Sequence, residues 1–109
     1  MESILTSIKK LLGISEDDSY WDQDIIVHIN SVFSILTDLG VGPSEGFRIE
    51  DDLATWNDFI GTNINYESVK SYMYLKVKLL FDTSTTSSAV IESINRMINE
   101  YEWRLTNKQ

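Results

Sequence analysis

The chain has 109 residues, no cysteine, and 17 acidic against 9 basic side chains, which gives a formal net charge of -8. A chain of this length is expected to form a single domain, residues 1–109, and the lack of cysteine excludes disulfides and thiolate metal sites. The acidic excess argues against a protein that holds nucleic acid by neutralising its phosphates.

Two amphipathic helices are predicted in the first 40 residues. The first has apolar side chains at spacings of three and four and stops at Gly13; it has too few basic residues to favour a membrane surface. The second is long, follows an acidic linker with Asp18 or Ser19 as its cap, and is closed by Gly40. Its apolar stripe consists of Trp21, Ile25, Ile29, Val32, Leu36 and Leu39, with Ile26 and Phe33 beside it.

The third and fourth helices are predicted to supply the middle of the core. The third covers residues 51–60, with Leu53, Trp56, Phe59 and Ile60 facing inward. The fourth covers residues 69–81, with Asn63 or Asn65 as its cap. Apolar side chains cover about three-quarters of its circumference, and a helix with this pattern is a buried one, so we expect it at the centre of the bundle.

The last helix follows an exposed hinge, predicted to consist of Asp82, Thr83, Ser84, Thr85, Thr86 and Ser87, and has Ser87 or Ser88 as its cap. Its core stripe is Val90, Ile91, Ile94, Met97, Ile98, Tyr101 and Leu105. Trp103 falls outside that stripe. No segment alternates with period two, so the pattern predicts an all-α fold. We expect a small bundle of about five helices, with a long second helix, a buried central fourth helix and a C-terminal docking helix.

The sequence contains no set of residues that indicates catalysis. A hydrolytic triad needs a base, usually histidine, and His28 lies in the middle of a helix at the edge of its apolar stripe, where a structural role is expected. The acidic clusters at 16–18 and 50–52 lack the glycine and glutamate spacing of a calcium loop. We therefore expect no enzyme activity, no cofactor and no metal site, and the apolar runs are too short for a transmembrane helix.

The remaining candidate is an interaction surface on the last helix. Tryptophan and arginine dominate binding hot spots, and Trp103 lies on a polar face next to charged residues. The predicted interface consists of Arg96, Glu100, Trp103, Arg104 and Leu105. The alternative is that Trp103 folds back onto its own subunit.

The charges are unevenly distributed along the chain. Thirteen acidic residues face three basic ones up to Glu67, whereas four acidic residues face six basic ones from Ser68 onward. Such a division favours association of copies head to side. The alternative is a generally acidic surface without a partner.

Several of these segments resemble one known family. The run YMYLKVKLLFD at 72–82, the Ser/Thr loop after it and the ending EYEWRL at 100–105 are similar to tailed-bacteriophage head-tail connector proteins. These proteins are also called adaptor or head-completion proteins and are often described as phage DNA-packaging proteins. The resemblance covers essentially the whole chain, and its C-terminal third is the specific part. Relatives usually follow Phe-Asp with prolines, whereas this chain has Thr83, Ser84 and Thr85, so its hinge is expected to be looser.

The resemblance implies a virion protein at the head-tail junction, made in the cytoplasm of the bacterial host. It implies a homo-oligomeric ring, dodecameric in the family's assembled form, which lies below the portal protein and extends the DNA channel. The next partner would be a downstream connector or tail-completion protein. DNA would pass without sequence-specific binding, since an acidic wall repels phosphate.

Two other functions remain alternatives to a connector. A stand-alone helical adaptor or regulatory interaction protein of a host or prophage predicts a discrete monomer or dimer and no capsid association. A helix-turn-helix module needs a basic recognition helix, and the best candidate, residues 69–81, has mainly apolar side chains on its surface.

Overall fold

The computed structural model describes residues 3–60, 66–81 and 87–107. In these ranges the chain forms α1 (Ile4–Leu12), α2 (Asp22–Asp38), α3 (Trp56–Ile60), α4 (Tyr66–Phe81) and α5 (Ser88–Asn107). The described part contains no β-strand, and its β-pairing is an isolated antiparallel bridge between Ser3 and Thr55. The prediction of a small all-α bundle is therefore confirmed.

Helix α1 ends at the glycine that the sequence pattern predicts, and a serine caps its start. The Ser3 hydroxyl accepts a hydrogen bond from Thr6 N at 3.2 Å, and Gly13 ends the helix with a left-handed φ of 81°. Only glycine adopts that conformation at little cost, which is why it follows so many helix ends. The apolar face of α1 is buried against α2 and α4.

The long helix α2 begins later than its predicted caps. Trp21 occupies the N-cap position without a side-chain hydrogen bond, so neither Asp18 nor Ser19 caps the helix. The Asp18 carboxylate instead accepts a hydrogen bond from Tyr20 N at 3.1 Å. That bond holds the linker in a turn before the helix starts.

The short helix α3 begins at Trp56, five residues later than predicted. Thr55 and Asp58 cap it reciprocally: Thr55 N donates to the Asp58 carboxylate at 2.9 Å, and Asp58 N donates to Thr55 Oγ1 at 3.3 Å. Leu53 therefore lies before the helix and is 78% exposed, so its predicted inward orientation is wrong. Trp56 and Phe59 are buried as predicted.

The central helix α4 contacts α1, α2 and α5. Five of its apolar side chains are at most 7% exposed: Val69, Tyr72, Met73, Leu75 and Val77. The helix begins at Tyr66, before the predicted start, and its proposed caps, Asn63 and Asn65, lie outside the described residues. A contiguous cluster of buried apolar residues includes members of all five helices, with α4 at its centre.

Side-chain hydrogen bonds attach both the loop between α2 and α3 and the helix α3 itself to the bundle. The Asn30 amide donates to the Ile49 carbonyl at 2.9 Å and accepts from Ile49 N at 2.7 Å. The indole of Trp56 donates to Ser7 Oγ at 2.8 Å, which links α3 to α1. These bonds satisfy buried polar groups that the apolar core cannot satisfy.

Candidate interaction surface

A serine cap fixes the start of the C-terminal helix α5. Ser87 Oγ accepts a hydrogen bond from Val90 N at 3.3 Å, as predicted for Ser87 or Ser88. Ser87 itself is exposed. The other predicted hinge residues, Asp82, Thr83, Ser84, Thr85 and Thr86, lie outside the described residues, so the hinge stays a prediction.

The buried face of α5 is narrower than its apolar stripe. Ile94, Ile98 and Leu105 are at most 5% exposed, whereas Val90 and Met97 are 46% and 43% exposed. The reason is that α5 packs mainly against one helix, α4. A single neighbour covers only one side of a cylinder, so the edges of the stripe remain open to solvent.

A hydrogen bond between α4 and α5 adds to this packing. The Tyr72 hydroxyl, on a fully buried side chain, donates to the Glu102 carboxylate at 2.7 Å. Burial of the phenol, then this hydrogen bond and the charge of Glu102, raise the pKa of Tyr72 well above its ordinary value. Tyr72 lies nine residues before the end of α4 and Glu102 lies 14 residues after the start of α5, and only residues 82–87 separate the helices in the sequence, so this contact means that the two helices run antiparallel.

The five predicted interface residues do not form one cluster. Arg96 and Trp103 are seven positions apart and share one side of α5, where Trp103 is 67% exposed. We call this side, with Glu92, Arg96, Asn99 and Trp103, the Trp103 face. Leu105 points into the core with 1% exposure, as its place in the apolar stripe predicts, so it is not accessible to a partner in this conformation.

Glu100 and Arg104 lie on the neighbouring side of α5 and bind each other. Arg104 Nη2 is 2.6 Å from Glu100 Oε1, and the Arg104 guanidinium lies 5.8 Å from the ring centre of Tyr101. Both charged side chains are largely exposed. A pair of this kind contributes little to stability, but it holds the arginine in a defined position.

A second exposed surface, which is aromatic, lies where the start of α2 meets the end of α4. Its rings are Tyr20, Trp21 and Phe81, and we call it the aromatic patch. The ring centres of Tyr20 and Trp21 are 4.6 Å apart, those of Trp21 and Phe81 are 5.5 Å apart, and both pairs meet edge to face. Tyr20 is 79% and Trp21 39% exposed.

The prediction that Trp21 belongs to the buried stripe of α2 is therefore wrong. Trp21 occupies the N-cap position, outside the helix, so the helical periodicity does not extend to it. The signal that marks this surface is the adjacent pair Tyr20-Trp21, which follows an acidic run and one serine. Two large aromatic residues in a linker have no helix face to bury them.

Lys9 holds the linker next to the aromatic patch. Its ammonium donates to the carbonyl oxygens of Asp18 at 2.7 Å and Glu16 at 3.2 Å, and lies 2.8 Å from the Asp22 carboxylate. The Lys9 side chain is only 3% exposed. Its partners lie in a separate segment, so the pattern of α1 alone could not distinguish Lys9 from a surface lysine.

The described residues contain no arrangement typical of catalysis or metal binding. No group of three His, Cys, Asp or Glu side chains in these ranges could hold a metal ion. His28 is half-buried, with its ring centre 6.5 Å from that of Phe81. In the same ranges, none of the helices is both long enough and apolar enough to cross a bilayer.

A family model described as phage connector protein matches residues 4–109. The match includes all five helices and therefore both exposed surfaces. Neither a curated protein nor a solved structure matches the chain.

Proposed function

The chain belongs to the phage connector protein family, and on this basis we propose that it is a ring-forming subunit of the head-tail junction. The ring lies below the portal protein of a filled capsid and continues the DNA channel toward the tail. In the family's assembled form it is dodecameric. The observation that carries the proposal is the family match over nearly the whole chain.

The exposed Trp103 face supports a docking role for α5. A helix that packs mainly on one neighbour leaves most of its circumference available, and Trp103 gives that surface a large apolar anchor. The partner is the portal protein or a neighbouring subunit. A downstream connector or tail-completion protein binds the opposite end of the ring.

The acidic surface supports a conduit in which DNA is not bound. A ring wall with a negative surplus repels phosphate, so DNA slides through without sequence-specific contacts. The role is structural, with no catalytic step. The protein is made in the cytoplasm of the bacterial host and ends up in the virion.

Replacing Trp103 with alanine tests the docking role. A tryptophan side chain buries about 150–250 Å² in an interface. Since 67% of Trp103 is exposed, docking would remove about 100–170 Å² from water, worth about 2.5–4 kcal/mol at about 25 cal/mol per Å². Trp103→Ala should therefore weaken binding to portal-containing heads by about 100- to 1,000-fold. Folding should change little, because the side chain is outside the core.

Leu53→Ala is the matched control, because Leu53 is 78% exposed but lies in the loop before α3. Both variants are mixed with tailless filled heads of the phage and copurified. The expected result is retention of the Leu53 variant and loss of the Trp103 variant. Equal retention of the two would refute the assignment, and a stable monomer or dimer that never binds heads would instead favour the stand-alone adaptor.

A further inference from the structure

Two surfaces of the described residues have an exposed tryptophan: the aromatic patch lies beside the end of α4, and the Trp103 face lies near the end of α5. Resting on the proposed function, we propose that the Trp103 face of one copy packs on the aromatic patch of the next copy, which makes this pair the subunit contact of the ring. The occupant of the aromatic patch is thus a second copy of this chain.

The aromatic patch is already held in a binding conformation. Lys9 binds two linker carbonyl groups and the Asp22 carboxylate, and Asp18 accepts a hydrogen bond from Tyr20 N. Trp21 is further fixed by its edge-to-face contact with Phe81. A rigid aromatic surface loses little conformational entropy on binding, which favours affinity.

The charges beside the two surfaces differ, because the patch has an acidic rim, whereas acids and bases on and beside the Trp103 face are equal in number: Glu92 and Glu100 against Arg96 and Arg104. Four exposed acidic residues lie in or next to the linker that carries the patch: Glu16, Asp17, Asp18 and Asp24. On the Trp103 face, Arg96 is exposed and has no ion-pair partner among the described residues. Glu92 lies one turn before Arg96, farther from Trp103. Arg96 and Trp103 together therefore match an aromatic centre with an acidic rim.

The positions of the two surfaces exclude contact within one subunit. Phe81 is the last residue of α4, whereas Glu102, next to Trp103, bonds to Tyr72 near the middle of that helix. Tyr72 and Phe81 are nine positions apart, which is a rise of about 13–14 Å along the axis. A contact between different surfaces of identical subunits is heterologous, and it closes into a ring when its rotation allows.

The expected contact is weak for a single pair of subunits. One exposed side of a helix about 30 Å long and about 10 Å wide covers a few hundred Å², below the roughly 800 Å² per partner of a standard stable interface. We therefore expect association in the upper micromolar range in solution. On a portal, the neighbouring subunits are held close together, which raises their effective concentration.

Charge exchange between the two surfaces tests the contact. Arg96→Glu places an acid opposite the acidic rim, and the double variant Glu16→Lys/Asp17→Lys places bases opposite Arg96. Within the described ranges, the side chains of Glu16, Asp17 and Arg96 make no hydrogen bond, since Lys9 and Ser15 bind only the backbone of residues 16 and 17. Glu50→Lys/Asp52→Lys is the matched control for the double-lysine variant, since it makes the same change in net charge at exposed residues of another loop.

Self-association is measured by sedimentation velocity over a concentration series up to about 1 mM. Each of the two surface variants alone should have a dissociation constant at least about tenfold above wild type, and the control should stay within about threefold. An equimolar mixture of the Arg96 variant and the double-lysine variant should recover association, because every junction then pairs opposite charges. A wild-type chain that is monomeric throughout, a failed recovery or an equal loss in the control would each overturn the contact.

Binding to filled heads separates this inference from the proposed function. Variants that bind heads normally but never show mutual recovery refute the subunit contact and leave the connector role intact. Mutual recovery together with no head binding by wild type supports the contact and refutes the connector role.

Discussion

Gly42 offers the sharpest test of how the loop packs on the core. Its φ is +83°, and a Cβ atom built on it would lie 2.4 Å from Cε1 and 2.7 Å from Cζ of Phe59. The Phe59 ring has little space to retreat. Its centre lies 4.6 Å from that of Phe33 and 5.2 Å from that of Phe47.

Gly42→Ala should destabilise the fold through two separate effects. An alanine with positive φ costs about 1–2 kcal/mol, and displacing a ring in a packed aromatic cluster costs about 1–3 kcal/mol more. Gly13→Ala isolates the first effect, because its φ is +81° and nothing lies within 4 Å of the added Cβ. The two variants should therefore differ by about 1–3 kcal/mol in free energy of unfolding.

Urea denaturation followed by far-UV circular dichroism measures both free energies under the same conditions. The expected total loss in free energy of unfolding for Gly42→Ala is about 2–5 kcal/mol. Each kcal/mol lost should lower the melting temperature by about 4–8 °C. Adding Phe59→Leu should recover part of the loss, since a smaller side chain leaves room for the methyl group. Equal losses at Gly42 and Gly13 would refute the close approach of this loop to Phe59.

Two further substitutions test the polar bonds inside the bundle. Tyr72→Phe removes the hydrogen bond to Glu102 and should cost about 1–2 kcal/mol at neutral pH. The pKa of Tyr72 is raised in the folded chain, so the contribution of Tyr72 to the free energy of unfolding is complete below its unfolded pKa of about 10. Above that pH the contribution falls by up to about 1.4 kcal/mol per pH unit. Denaturation at several alkaline pH values should show this decrease in wild type and a smaller decrease in the variant. Lys9→Met leaves Asp22 unpaired and should cost about 2–4 kcal/mol, less than for a fully buried pair because the Asp22 side chain keeps 25% exposure. Asp22→Asn, which keeps an acceptor, should cost less in the same urea titration, and a larger loss would contradict this ordering.

The helices could be predicted because their information is local. Apolar spacing located α1, α2, α4 and α5, and Gly13 located the end of α1. The start of α3 was missed although its signal was also local. Thr55 and Asp58 have the spacing of a capping box, which places the start of the helix at Trp56 and leaves Leu53 outside it.

Which residues are exposed depends on contacts between segments that are distant in the sequence. The helical periodicity of the sequence gives no information about such contacts. Lys9 is buried because the linker folds back over it, and its partners lie beyond the end of α1. Val90 and Met97 fit the stripe of α5 but remain partly exposed because α4 is the only helix that covers α5 extensively among the described residues. The position of Trp103 was predictable because it required only the angle around one helix, whereas the aromatic patch required the place where α2 and α4 meet.

Charge repulsion between subunits acts over a longer distance than the proposed contact between the Trp103 face and the aromatic patch. This difference affects the conditions under which a ring would form. A net charge of -8 makes separate copies repel one another on approach. At physiological salt that repulsion is screened over about 8 Å, whereas the proposed contact of Trp103 with the aromatic patch acts only at van der Waals distance. If the proposed contact exists, free subunits would therefore associate only at high concentration, and subunits already held side by side would gain the contact.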